Sequence, residues 1–126
     1  MDAKNHVDIT ADPAGNLLKL SFRGKINAAE MEPYVTDVET AVQNLPRGFF
    51  LLTDLSDLQS MDLSCVPYIR RTMDLIRDHG VRRIVRIIPD PAKDIGFNIM
   101  SLFHYSRDVQ TVTCENQTEA ERALAD

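Results

Sequence analysis

Apolar and polar side chains alternate over residues 7–11 (VDITA) and 17–22 (LLKLSF), and the stretch between them, Asp12-Pro13-Ala14-Gly15-Asn16, is made of turn residues. This pattern predicts an antiparallel hairpin at the start of the chain. Gly24 and Lys25 break the alternation, and Asn27 then stands three residues ahead of Glu30, the spacing of a capping box. Met31, Tyr34, Val35, Val38, Ala41, Val42 and Leu45 recur at helical spacing, with Glu32, Asp37, Glu39 and Thr40 opposite them. A helix is expected here, with Pro33 near its first turn at little cost and Pro46 and Gly48 ending it.

Residues 49–55 (FFLLTDL) are too apolar for a half-solvated strand and too short for a helix, which predicts a central strand covered on both faces. After an irregular stretch, DLQSMD, a second helix is expected from about Ser64 to His79, stopped by Gly80. Residues 82–88 (RRIVRII) repeat the buried-strand pattern, a third helix is expected over about 93–105, and 109–114 (VQTVTC) forms a last strand. Thr118 with Glu121 predicts a second capping box before a short amphipathic helix. Alternating helices and strands after a hairpin imply an α/β fold: one domain over residues 1–126, a mixed five-stranded sheet and four helices.

Composition narrows the function. The chain has 126 residues, 44% hydrophobic and 26% charged, with a net charge of −5. That balance disfavours a nonspecific grip on nucleic acid or on an anionic membrane, both of which need positive excess. No run reaches the ~18 apolar residues of a membrane span, and the opening MDAKNHVD has no basic and apolar signal regions. A cytoplasmic protein without a membrane span is expected. Cys65 and Cys114 have no histidines at ligand spacing, so both are read as free thiols, with no metal site.

Catalytic signals are sparse. Gly15, Gly24, Gly48, Gly80 and Gly96 are scattered, so no glycine-rich loop is available to cradle phosphates, and no cofactor is expected. Of the three histidines, His6 is near a chain end and His104 lies in the expected third helix. His79 is placed in the last turn of the second helix, where its partial positive charge suits the dipole. Cys65, at a helix start, is the one thiol whose pKa helix amides could lower, but no base accompanies it. Asp54, Asp57 and Asp62 cluster after a strand, where α/β sheets bind ligands or magnesium; turn capping explains them equally well. An enzyme is not expected.

The most specific segment is 54–64, D-L-S-D-L-Q-S-M-D-L-S, placed between a buried strand and a helix. It resembles the signature of STAS domains, the family named from sulfate transporters and anti-sigma factor antagonists, at Asp54, Leu55, Ser56, Leu58, Met61, Asp62 and Ser64. The hairpin, the G-x-[IL]-[DN] stretch at Gly24 to Asn27, the R-I-V-R-I-I-P strand and the final T-E-A-E-R-A-L helix follow in the order that resemblance requires. The family usually has a serine before the target serine and a glycine after it, where this chain has Leu63 and Cys65. The resemblance implies a STAS-like, anti-sigma factor antagonist-like fold and a non-catalytic bacterial signalling module. It implies a protein partner of the anti-sigma factor or serine kinase type, Ser64 as the phosphorylation candidate, and Asp54, Ser56 and Asp62 in the switch loop. Phosphate on Ser64 would add about −1.5 to −2 charge to a contact surface and would be favoured by free amides at the helix start.

A helical wheel of the second helix puts Val66, Ile69, Met73 and Ile76 toward the core and leaves Tyr68 and Leu75 as surplus apolar residues beside Arg71. These three are the expected partner-binding residues. Residues 27–62 hold seven acids and one arginine, and 64–86 hold six arginines against Asp74 and Asp78, an asymmetry suited to steering an acidic partner. On the third helix, Ile95, Ile99, Leu102 and Phe103 would cover the sheet, with Phe97 and Met100 outward as a homodimer face or the lip of an apolar pocket. The alternative function is therefore a small carrier holding an apolar or lipid ligand between that helix and the sheet.

Overall fold

The computed structural model describes residues 6–88 and 109–125. Strands β1 (His6–Asp12) and β2 (Leu17–Ile26) form the expected antiparallel hairpin. Its turn closes through the Gly15 amide, which donates to the Asp12 carbonyl at 3.2 Å, and through Asn16, held at φ 52. Asparagine tolerates that left-handed conformation better than most residues because its short polar side chain can bond locally. Helix α1 (Ala28–Val42) leads to β3 (Phe50–Asp54) and β4 (Leu58–Met61). A 3₁₀ turn at Leu63–Cys65 enters α2 (Val66–Asp78), followed by β5 (Arg83–Ile87), β6 (Gln110–Cys114) and α3 (Gln117–Ala125).

Among the described residues the sheet has six strands in the order β1-β2-β3-β5-β6, with β4 paired to β2 off that path. The β1–β2 pair is antiparallel and the other described pairs are parallel, so the sheet is mixed, as expected. The sixth strand corrects the five-stranded expectation. Leu58–Met61 lies in the stretch read as irregular, and it forms because β2 does not stop at Gly24. At φ +74 Gly24 turns the chain through a bulge, its amide donates to the Asp57 carbonyl at 3.0 Å, and β2 pairs on with β4 to Ile26↔Met61. Three helices lie among the described residues; the expected third helix over 93–105, with Ile95 to His104, falls outside them.

Strand alternation sends residues of one strand into two cores. Leu51 and Ile84 join α1 and α2 on one face; Leu52 and Val85 join α3 on the other. Leu51 is 0% and Leu52 2% exposed, which is why β3 reads as a continuous apolar run. Each such leucine contributes about 1.5–3 kcal/mol of burial. The Asn27–Glu30 capping box is present: Asn27 Oδ1 accepts from the Glu30 amide at 3.2 Å and Glu30 Oε1 from the Asn27 amide at 2.9 Å. Pro33 lies in the second turn, where it leaves the carbonyl of exposed Ala29 without a helical donor. A related pair of bonds, two residues earlier and with Glu119 reaching the residue before the cap, replaces the box expected at Thr118 and Glu121. Asn116 Oδ1 accepts from the Glu119 amide at 2.9 Å, while Glu119 Oε1 accepts from the Glu115 amide at 3.0 Å.

Candidate functional site

The site is built at the C-terminal ends of β2 and β4. The Asp62 amide donates to the Ile26 carbonyl at 2.9 Å, and the Cys65 thiol donates to the same oxygen at 3.6 Å. Two donors on one carbonyl hold the 3₁₀ turn between them against the end of β2. Ser64, in the middle of that turn, is exposed, and its hydroxyl donates to Asp62 Oδ2 at 2.6 Å. A shallow open depression beside it is lined by Lys25, Ile26, Asn27, Ser60, Met61 and Asp62.

Ser64 does not cap α2. The helix begins at Val66, its cap residue Cys65 makes no side-chain capping bond, and the Ser64 hydroxyl is engaged by Asp62. The free amides expected at this point are mostly used or missing. Cys65 donates to the Asp62 carbonyl at 2.9 Å, Val66 donates to Leu63, and Pro67 has no N–H. Charge on this serine would therefore act through its neighbours more than through an amide cradle.

The tripeptide Asp-Leu-Ser occurs at 54–56 and again at 62–64. In the first copy Asp54 Oδ1 accepts from both the Ser56 hydroxyl, at 2.6 Å, and the Ser56 amide, at 3.0 Å, which closes the turn from β3 to β4. Ser56 and Asp54 thus bond each other, and Asp62 and Ser64 bond each other. Leu55 is 0% exposed, but Leu63 is 62% exposed and is the one large apolar side chain left exposed among the described residues. The first copy is a structural turn; the second presents a hydroxyl, a carboxylate and a leucine to solvent.

Cys65 is fully buried, and its pKa is pushed up to about 11 by burial first and by the Asp62 carboxylate second. Helix amides could have lowered this pKa, but desolvation outweighs them. Burial raises the Cys114 thiol as well. Asp54, Asp57 and Asp62 are not assembled as ligands: among the described residues no group of three histidines, cysteines or carboxylates is placed to hold a metal ion. The His79 ring does not serve the α2 terminus. Its Nε2 lies 2.9 Å from the Leu45 carbonyl, so this nitrogen carries the proton, and its ring centroid is 5.8 Å from that of Phe49.

On α2, Ile69, Met73 and Ile76 are buried as the wheel predicts, but Thr72 is buried too and Tyr68 is half-buried against the core. The helix packs beside α1 as well as on the sheet, so its covered arc is wider than one stripe, and Tyr68 is not a surplus residue. Arg71 is exposed and Leu75 half-buried, and both line an open depression with Val66, Pro67, Arg70 and Asp74. The arginines of 64–86 do not form one surface. Arg77 is paired with Asp74 and Asp78, Arg83 and Arg86 bond across to β6, and Arg70 and Arg71 face outward from α2. No helix among the described residues is long and apolar enough to cross a membrane.

No protein-family profile matches the chain, and no curated protein sequence is similar to it. Solved structures are. A DUF3478-family protein with a SpoIIAA-like fold from Shewanella loihica superimposes with a TM-score of 0.68 at 15% identity, covering 98% of each chain. The anti-sigma factor antagonist SpoIIAA in its unphosphorylated form superimposes at 0.63 and 13% identity, over 94% of this chain and 96% of that one. An anti-sigma-factor antagonist (STAS) domain protein from Planctomyces limnophilus gives 0.63 at 17% identity, over 96% and 99%. The chain thus has the STAS, SpoIIAA-like α/β fold, with its opening hairpin and parallel strands.

Proposed function

We propose that this chain is a cytoplasmic, non-enzymatic regulatory module, acting as a single domain, that binds a protein partner in the manner of an anti-sigma factor antagonist. Its docking surface is the 3₁₀ turn and the outward face of α2, with Ser64 as the phosphorylation switch. The observation that carries this reading is the contrast between the two Asp-Leu-Ser tripeptides: the second leaves Leu63 62% exposed beside an exposed serine hydroxyl. An apolar side chain held out on a turn anchored to β2 suits a partner that covers it, with Arg70, Arg71 and Leu75 extending the contact along the helix. The switch is electrostatic. Phosphorylation turns the hydroxyl donor 2.6 Å from Asp62 into an acceptor-only group of about −1.5 to −2 charge. The two anions repel, the pair opens, and the surface around Leu63 changes both charge and shape.

The test pairs two measurements on the protein in its source cells. Phosphopeptide mass spectrometry of the isolated protein is expected to find phosphate on Ser64. Affinity capture with the wild-type chain, Ser64→Ala and Ser64→Asp is expected to retain one kinase-like or anti-sigma-type partner with the first two and lose it with the third. Equal retention by Ser64→Asp, or unmodified Ser64 under all growth conditions, overturns the switch.

A further inference from the structure

At the end of the parallel strands opposite Ser64, two guanidinium groups lie over one aromatic ring and a third arginine, Arg47, packs over nearby Gly80. Phe50, the first residue of β3, pairs with Arg83, the first residue of β5. The Arg83 Cζ lies 5.5 Å and the Arg82 Cζ 5.8 Å from the centroid of the Phe50 ring. The Arg82 amide donates to the Phe49 carbonyl at 2.7 Å, which pins this corner, and Arg83 is held by Gln110 Oε1 and by the Ala123 carbonyl, both at 2.8 Å. Arg47 arrives from the loop after α1. The Gly48 amide donates to the Gly80 carbonyl at 2.7 Å, and the Arg47 side chain lies over Gly80, with Nε 3.1 Å from where a Cβ there would stand. Gly80 takes φ +93, so its lack of a side chain serves both the backbone turn and this close approach.

Arg47 and Arg82 are exposed, and among the described residues no carboxylate pairs with any of the three. Arg23 and Arg77, by contrast, are paired, the first with Asp8 and the second with Asp74 and Asp78. Gathered without counter-charge among the described residues, on a chain whose net charge is −5, these cations form a local positive patch that an anionic partner would neutralise.

We infer that this end of the parallel strands is a second docking surface, for an acidic segment of a protein partner. Guanidinium forks fit carboxylates in two-point contacts, and a guanidinium stacked on a ring is held ready for them at reduced entropic cost. Arginine with an aromatic residue is also the composition in which protein interfaces concentrate binding energy. Three cations are too few to hold duplex nucleic acid on an acidic chain, where affinity scales with the number of phosphates neutralised, and fewer than the basic clusters that bind anionic membranes. The fitting segment carries two or three aspartates or glutamates around one apolar side chain that covers the open edge of half-buried Phe50.

The experiment is a fluorescence-anisotropy titration of the full chain into a labelled peptide of aspartates and glutamates with one central leucine. A single-stranded oligonucleotide and phosphatidylserine vesicles are run alongside. Saturable peptide binding that weakens with added salt is expected, with about a tenfold loss for Arg82→Glu and for Arg47→Glu. Both residues are exposed, and unchanged circular dichroism melts confirm that the variants fold. Arg23→Glu, on exposed Arg23 of β2 away from this corner, is expected to bind the peptide like wild type. Absence of saturable binding, no effect of Arg82→Glu, an equal loss in Arg23→Glu, or a tighter grip on oligonucleotide or vesicles overturns the assignment.

Discussion

Leu55 and Leu63 hold the same place in identical Asp-Leu-Ser tripeptides, yet Leu55 is fully buried and Leu63 is 62% exposed. Sequence identity does not set their roles; the strand that each follows does. Leu55 leaves the central strand β3, where its amide donates to the Ile87 carbonyl at 2.9 Å and its side chain enters the core shared with α1 and α2. Leu63 leaves the four-residue β4 and turns into solvent. Leu55→Ala is therefore expected to cost about 2–5 kcal/mol in urea unfolding, the range for emptying a buried leucine site. Leu63→Ala is expected to stay within about 0.5 kcal/mol of wild type while weakening capture of the partner. A Leu63→Ala protein that binds normally would remove this side chain from the contact.

The capping box of α1 closes two hydrogen bonds between the same two residues. Each side chain accepts from one amide, and losing either bond lets the first turn fray and weakens the other, so the effects of Asn27→Ala and Glu30→Ala are expected to be less than additive. Each single change should cost about 1 kcal/mol, and the double variant clearly less than their sum. Additive losses would mean that the two bonds act independently.

That box was legible because its spacing is local: Asn27, Glu30 and the periodic apolar positions after them all lie within one helix. The second box was harder to read, since Asn116-x-x-Glu119 and Thr118-x-x-Glu121 overlap, and only the docking of fully buried Ala120 on the sheet decides where α3 starts. Strand β4 was not legible at all, because Gln59 and Ser60 carry no alternation and its pairing is with Gly24–Ile26, reached only through the bulge. At the site, the sequence placed Ser64 at the entry to α2, where it is exposed, but did not show the bonding around it. Nothing local says that Asp62 takes its hydroxyl, that Pro67 and the 3₁₀ bonds remove the amide cradle, or that Cys65 is sealed under the Ile26 carbonyl.

The burial of Cys65 sets a pH dependence. Its thiol has a folded pKa of about 11 against an ordinary value of 9.0, so above pH 9 the unfolded chain loses this proton while the folded chain keeps it. The unfolded state then binds fewer protons, and stability falls as pH rises. The share due to Cys65 is fully present below pH 9 and disappears as pH rises toward 11. Urea midpoints measured over that interval should fall more steeply for wild type than for Cys65→Ala, with the raised Cys114 thiol contributing a slope common to both. The same burial predicts that neither thiol alkylates quickly in the folded protein at neutral pH. Parallel slopes in the two proteins would place the titration elsewhere.

Thr53 offers the opposite kind of test, a native residue that its surroundings do not fully satisfy. It sits in β3 between Leu20 of β2 and Arg86 of β5, is 1% exposed, and its Oγ1 has no hydrogen-bond partner among the described residues. An unpaired buried hydroxyl carries its full desolvation cost, whereas valine has nearly the same shape and an equal preference for strands. Thr53→Val is therefore expected to stabilise the fold by about 1 kcal/mol, seen as a higher urea midpoint at unchanged slope. Because Thr53 lies one residue before Asp54 and its turn to Ser56, the variant also asks whether that hydroxyl serves the loop or the strand. A destabilised variant would show that the hydroxyl meets a partner in solution, such as a bridging water, and that β3 is tied to the switch loop through it.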